Sequence, residues 1–195
     1  MTYVPDARFP TNNDHDIPLL DMRMCADYAE LPVMGWGTTR RTDKMTGTWH
    51  FYVDDYRFEN LWKRPDRIVD TGCKSIIEPN FSVFQQTPRA YAAWQIYRKR
   101  WLARYWQSRG ITVFADLNVS REWQHLNMLG IPDGWYSFAT RGYTDRWKDT
   151  LREWQMAGEI AGDNVGKMTF LVYGGGKTIR KVCGDYGFVW IPEQE

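Results

Sequence analysis

The chain has 195 residues, 43% of them hydrophobic and 25% charged, enough for one domain with a substantial core and incompatible with wholesale disorder. It has no run of about 18 apolar residues, so no membrane span is expected. The net charge of +1 excludes a chain held to nucleic acid by bulk positive charge alone.

Residues 1 to about 30 carry Pro and Asp with no sustained period and read as an arm packed on the main domain. Met1–Asp6 has neither a basic n-region nor an apolar h-region, which predicts a cytoplasmic location. Leu31–Gly37 can form a short strand, and Thr38–Gly47 is a polar loop with Arg40, Arg41 and Lys44. Residues 1–47 are therefore assigned to an arm and loop, and residues 48–195 to one α/β domain.

From Trp49 onward, apolar strand-like runs alternate with helical patterns. Trp49–Val53 is a strand, Tyr56–Val69 is helical with a break at Pro65, and Lys74–Glu78 is a strand. Thr87-Pro88 starts a helix that runs to Ser108 and stops at Gly110. Ile111–Ala115 is a buried-type strand, and Ser120 can cap a helix ending near Leu129. Trp135–Ala139 is a strand, and Asp145–Ile160 is amphipathic, with Trp147, Leu151 and Trp154 at helical spacing. Met168–Val172, a short helix Thr178–Cys183 and a strand Phe188–Ile191 complete the series. Six strands and a possible seventh, alternating with helices, predict a mostly parallel sheet. A short or incomplete (β/α) barrel is the expected form, with an open doubly wound sheet as the alternative.

In either form a ligand sits beyond the carboxyl ends of the strands. Those ends carry Asp54 and Asp55; Glu78, Asn80 and Ser82; Asp116 and Asn118; Thr140 and Arg141; and Tyr173 followed by Gly174-Gly175-Gly176-Lys177. Clustered carboxylates bind a divalent cation or raise one another's pKa for acid–base work. Asp54, Asp55 and Glu78 are thus candidate catalytic groups, and Asp54, Asp55 and Asp116 candidate metal ligands. Asn80, Ser82, Asn118, Arg141, Tyr173 and Lys177 are candidate ligand contacts. The same residue types also serve as loop starts and helix caps. The glycine run fails the full phosphate-loop pattern, because position 171 is Leu171, but its backbone N–H groups can still hold an anion.

The three cysteines, Cys25, Cys73 and Cys183, and the three histidines, His15, His50 and His125, are scattered. Neither a disulfide framework nor a zinc site is indicated. Any metal would be held by carboxylates, which favours Mg²⁺ or Mn²⁺. Aromatic residues make up 16% of the chain, with 11 Trp and 11 Tyr; they serve either an ordinary core or stacking platforms for rings. On the helix after Pro88, Tyr91, Trp94, Tyr97, Trp101, Leu102 and Tyr105 share one face, with Arg98 in its middle. Arg98 must be paired with an acid, stacked on a ring, or used on a ligand phosphate or carboxylate. Arg89, Arg100 and Arg104 fall on another face, read as solvated.

The segments Phe51–Glu59, Pro79-Asn80-Phe81-Ser82, Tyr97–Trp101, Tyr105-Trp106-Gln107 and Gly130-Ile131-Pro132 together resemble domain-of-unknown-function family 4417. The likeness covers roughly residues 48 to 174. It implies an origin in phages, plasmids or integrative elements and no established activity. Asp54, Asp55 and Arg98 match the family pattern; an acid is common there at the position of Asn80, and Asp116 lies outside the pattern.

Three functions follow as expectations. One is a mobile-element protein that binds or processes a nucleotide or nucleic acid at the strand-end rim, with Asp54 and Asp55 serving Mg²⁺ or general-base chemistry and Arg98 and Lys177 serving phosphate. A second is a non-enzymatic binder of a signalling nucleotide or of a host protein. The third is a DNA-binding accessory protein using Arg40, Arg41, Lys44, Arg89, Arg100 and Arg104.

Overall fold

The computed structural model describes residues 9–37 and 44–193. Seven short strands form one sheet: β1 (Val33–Gly35), β2 (Thr48–His50), β3 (Ser75–Ile77), β4 (Thr112–Asp116), β5 (Ser137–Arg141), β6 (Thr169–Tyr173) and β7 (Val189–Ile191). They lie in sequence order, and every neighbouring pair is parallel. Chain order matching spatial order makes each connection a step in the same direction to the adjacent strand, which winds a sheet into a barrel rather than reversing it as doubly wound folds do. The helices are α1 (Asp66–Val69), α2 (Arg89–Ser108), α3 (Gln124–Asn127), α4 (Trp147–Ala161) and α5 (Gly176–Tyr186).

Strand alternation separates two cores. Val33, Ile77, Phe114, Ala139, Leu171, Tyr173 and Ile191 belong to one buried cluster, with at least one residue from β1 and β3 through β7. The first and last strands thus face the same interior. The His50 and Tyr173 rings, from β2 and β6, come within 4.2 Å across it. This is an incomplete barrel, with no pairing of β7 to β1 among the described residues. The opposite faces of the strands, with Trp49, Ile76, Val113, Phe138, Phe170 and Val172, join the larger outer core beneath the helices. Most of the tryptophan goes there: Trp36, Trp49, Trp62, Trp101, Trp106 and Trp135 are all buried.

The arm closes one end. Ala26 N–H donates to Val113 O and to Ser137 Oγ, Thr48 Oγ1 donates to Glu30 O, and Thr169 Oγ1 donates to Asp27 O. These contacts fall at the amino-terminal ends of β2, β4, β5 and β6, so residues 25–30 run as a strap beneath the barrel. Gly130 supports the strap's approach: Leu20 N–H donates to Gly130 O. Gly130 has φ 78°, and a Cβ there would lie 2.2 Å from Pro18 O, so only glycine fits.

Several boundaries differ from expectation. The segment 56–69 is not one helix: 3₁₀ turns at Asp55–Arg57 and Glu59–Trp62 precede a single α turn. β5 begins two residues later than expected, which places Thr140 and Arg141 inside the strand, and β4 takes in Asp116. The inward face of α2 also differs. Ala92, Ile96, Lys99, Arg100, Ala103 and Trp106 are buried together with Trp101 and Leu102 of the expected face, while Tyr91 and Trp94 are exposed. The small side chains of Ala92 and Ala103 let the helix axis approach the sheet, with Trp101 and Trp106 filling the core beside them.

Candidate functional site

Beyond the carboxyl ends of the strands the barrel opens into a pocket of about 980 Å³, large enough for a nucleotide-sized ligand. Asp54, Asp55, Asn80, Ser82, Asn118, Arg141 and Tyr173 all line it. Glu78, Arg98, Asp116 and Lys177 are not among its lining residues.

Two of those four build the wall behind it. Glu78 and Asp116 are fully buried, and each holds a cation from α2. Arg100 Nη1 donates to Glu78 Oε1 at 2.6 Å, and Lys99 Nζ donates to Asp116 Oδ2 at 2.8 Å. Glu78 Oε2 also accepts Asp116 N–H, and Asp116 accepts Tyr52 O–H and Asn80 Nδ2. Every carboxylate oxygen of the pair is therefore committed to a protein partner. Such a network is costly to break and fixes the ends of β3 and β4. The solvated face expected for Arg100 and Arg104 is thus corrected. Arg100 is fully buried because Glu78, at the end of β3, supplies a buried acid for it, and Arg104 lies over the Phe9 ring 3.7 Å from Asp21. Of the other residues considered for DNA, Arg40 and Arg41 lie outside the described residues, and Arg89 is exposed.

Arg98 pairs with no strand-end carboxylate. Its guanidinium stacks 4.0 Å from the Phe81 ring, bonds Gln95, and reaches the exposed Glu59 at 3.7 Å. Burial lowers its pKa, and the ring face offsets part of the lost hydration.

The three candidate metal ligands are also kept apart. Asp55 accepts both the N–H and the hydroxyl of Ser82, each at 3.0 Å, which ties the loop after β3 to the turn after β2. Asp116 is committed as above, and Asp54 is exposed. Among the described residues no group of three His, Cys, Asp or Glu side chains is placed to hold a metal ion. The glycine run serves packing: Gly175 caps α5 at φ 75°, and a Cβ there would lie 2.2 Å from Ile179 Cγ1. Lys177 is exposed.

The opposite side of the pocket and its floor are made mostly by residues that sequence reasoning missed. Arg146 and Arg152 join Arg141, while Glu153 from α4, His50 from β2 and Tyr143 complete that side. The Arg146 guanidinium stacks 4.1 Å from the Tyr143 ring, with Arg141 at 5.5 Å. Arg152 donates to Asp149 at 2.6 Å. The Nε atoms of Arg141 and Arg152 are buried with no hydrogen-bond partner among the described residues.

His50 is 1% exposed, and burial, reinforced by the Arg141 charge, lowers its pKa to about 3. The ring is therefore neutral at pH 7. Its Nδ1 accepts Tyr52 N–H at 3.3 Å, so the proton resides on Nε2. That Nε2–H has no partner among the described residues. Glu153 is buried, and burial pushes its carboxyl up to about 8; the bond from Thr140 Oγ1 at 2.5 Å opposes this, and the Asp116 charge adds to it. At neutral pH Glu153 is thus protonated and able to donate. The clue was its spacing: Thr150, Glu153, Ala157 and Ala161 form the buried line of α4, an acid within a row of small residues.

The mouth carries two exposed rings. Tyr56 and Phe84 are 72% and 69% exposed, and the Arg57 guanidinium lies 5.9 Å from the Tyr56 ring.

The sequence model of the family described as "Domain of unknown function (DUF4417)" matches residues 9–156. Two curated relatives, each named "Gene 1 protein", come from Mycobacterium phage D29 and Mycobacterium phage L5. Both are 36% identical over 110 residues, 54% of this chain. The match covers 40% of the D29 protein and 47% of the L5 protein, so it spans less than half the length of either. No solved structure matches the chain. Among the described residues no helix is long and apolar enough to cross a membrane.

Proposed function

The chain belongs to the DUF4417 family, with relatives encoded by mycobacteriophages, and on that premise we propose that it binds a nucleotide or nucleic acid in the pocket at the carboxyl ends of its strands, in the cytoplasm of a bacterial host. The observation that carries this reading is the pairing of arginines with aromatic rings around one mouth. Arg141, Arg146 and Arg152 offer charge and planar hydrogen bonding to phosphate, while Tyr56 and Phe84 offer exposed ring faces for a base.

The reading commits to binding. Glu153 is placed to exchange a proton with a bound ligand near neutral pH. A Mg²⁺ ion that arrives with the ligand would meet Asp54, which is exposed and lines the pocket.

Titration calorimetry of the purified protein with nucleoside mono-, di- and triphosphates and short oligonucleotides tests it. The expected result is saturable one-to-one binding, weakened about tenfold or more in Arg141→Gln/Arg146→Gln. The absence of binding to every nucleotide and oligonucleotide overturns the reading and leaves a protein partner as the better one.

A further inference from the structure

We propose that the ligand enters end-on, seating a terminal phosphomonoester on the pocket floor against His50 Nε2 and Arg141 Nε, with the Glu153 carboxyl beside it. This inference rests on the nucleotide reading above and adds which end of the ligand goes in.

The pocket is blind. Below His50 and Tyr173 the interior is filled by Ile77, Phe114, Ala139 and Leu171. The strap of residues 25–30 crosses the amino-terminal end of the barrel through its bonds to β2, β4, β5 and β6. A polymer passing through needs two exits, so the group that reaches the floor must be a chain end or a small molecule.

The floor is short of acceptors. His50 is almost wholly buried, its Nδ1 is used by Tyr52 N–H, and its Nε2–H has no partner among the described residues. Arg141 lies on the same inward-facing series of β5 as Ser137 and Ala139, and its Nε–H is likewise buried without a partner. Arg152 adds a third such N–H on the wall. Buried donors are costly to leave unmatched, and the group that matches several donors lining one pocket beside guanidinium charge is an oxyanion.

A phosphomonoester presents three terminal oxygens on one tetrahedral centre, whereas a phosphodiester presents two and needs chain on both sides. Glu153 fits the same ligand. Held protonated at neutral pH by burial, it donates to a phosphate oxygen instead of repelling it. A free nucleotide and the phosphorylated end of a nucleic-acid strand share this chemistry.

The test is titration calorimetry at pH 7 on the full chain. The probes are the four nucleoside 5′-monophosphates, their 3′,5′-cyclic forms, and a short oligonucleotide with and without a 5′-phosphate. The expected result is that at least one monophosphate, or the phosphorylated oligonucleotide, binds about tenfold or more tightly than its cyclic or unphosphorylated counterpart. The tighter of the two phosphorylated probes identifies the source. His50→Phe keeps the ring against Tyr173 and removes the N–H; it is expected to reduce the preference to about threefold or less. Arg141→Gln, which changes a partly exposed side chain, provides the same readout should His50→Phe fail to fold. Binding of cyclic and open forms within about twofold overturns the end-on inference while the nucleotide reading stands. Loss of all binding overturns both.

Discussion

Glu153→Gln isolates the energetic consequence of placing an acid in the buried line of α4. The carboxyl, ordinarily at 4.5, is pushed up to about 8. Below pH 4.5 the folded and unfolded chains both hold the proton. Between 4.5 and about 8 the unfolded chain releases it and the folded chain keeps it, so wild-type stability falls as pH rises and the loss is complete above 8. At roughly 1.4 kcal/mol per pH unit, the gap amounts to about 5 kcal/mol, comparable with the whole stability of a modest domain. Glutamine keeps a partner for Thr140 and cannot ionise. Urea unfolding of both proteins from pH 5 to pH 9 reads the difference. The variant is expected to gain on the wild type steadily from pH 5 to about 8 and then to hold an advantage of several kcal/mol to pH 9. His50, lowered to about 3 by burial, contributes stability that is lost only as pH falls below its unfolded value of 6.5, and it is common to both proteins. Parallel curves, agreeing within about 0.5 kcal/mol, would refute the reasoning and place Glu153 ionised at neutral pH.

Other expectations follow from the same geometry. Arg100→Met leaves Glu78 buried without its cation and is expected to cost about 3–5 kcal/mol, with Glu78→Leu/Arg100→Met recovering most of it; thermal melts check this, and a single-variant loss below about 1 kcal/mol contradicts it. Gly130→Ala forces a Cβ against Pro18 O at a positive φ and should cost about 2 kcal/mol or more, read by chemical unfolding. Affinity for a nucleoside monophosphate should fall about tenfold between pH 7 and pH 9 as Glu153 ionises. The groups facing it are Thr140 on β5, Asp116 on β4, Tyr52 after β2, and Asp149 and Arg152 on α4. Calorimetry should show no such fall in Glu153→Gln.

The alternation of strands and helices was readable because each run is short, apolar and separated by a clear stop. The rim followed, since parallel strands deliver their carboxyl ends to one side, and Asp54, Asn80, Asn118 and Arg141 line one pocket there. Orientation around each helix was not readable. On α2 the face of Arg89, Arg100 and Arg104 reads as solvated, yet Arg100 is fully buried, as are Ala92 and Ala103. The misassigned face hid Lys99 and Arg100, whose acids come from strands distant in sequence. On α4, Leu151 and Trp154 pack against the core as expected, but Trp147 is 37% exposed and Glu153 lies on the neighbouring buried line with Thr150. His50 could not be singled out, because its orphan N–H arises from a tautomer set by the backbone of Tyr52.

A crystal structure of the protein with the tightest-binding nucleoside 5′-monophosphate tests the central claim most directly. The phosphate oxygens are expected within hydrogen-bond distance of His50 Nε2 and Arg141 Nε, with the base directed toward Tyr56 and Phe84. A nucleotide bound outside the pocket, or one with its base on the floor and its phosphate in solvent, would contradict the account.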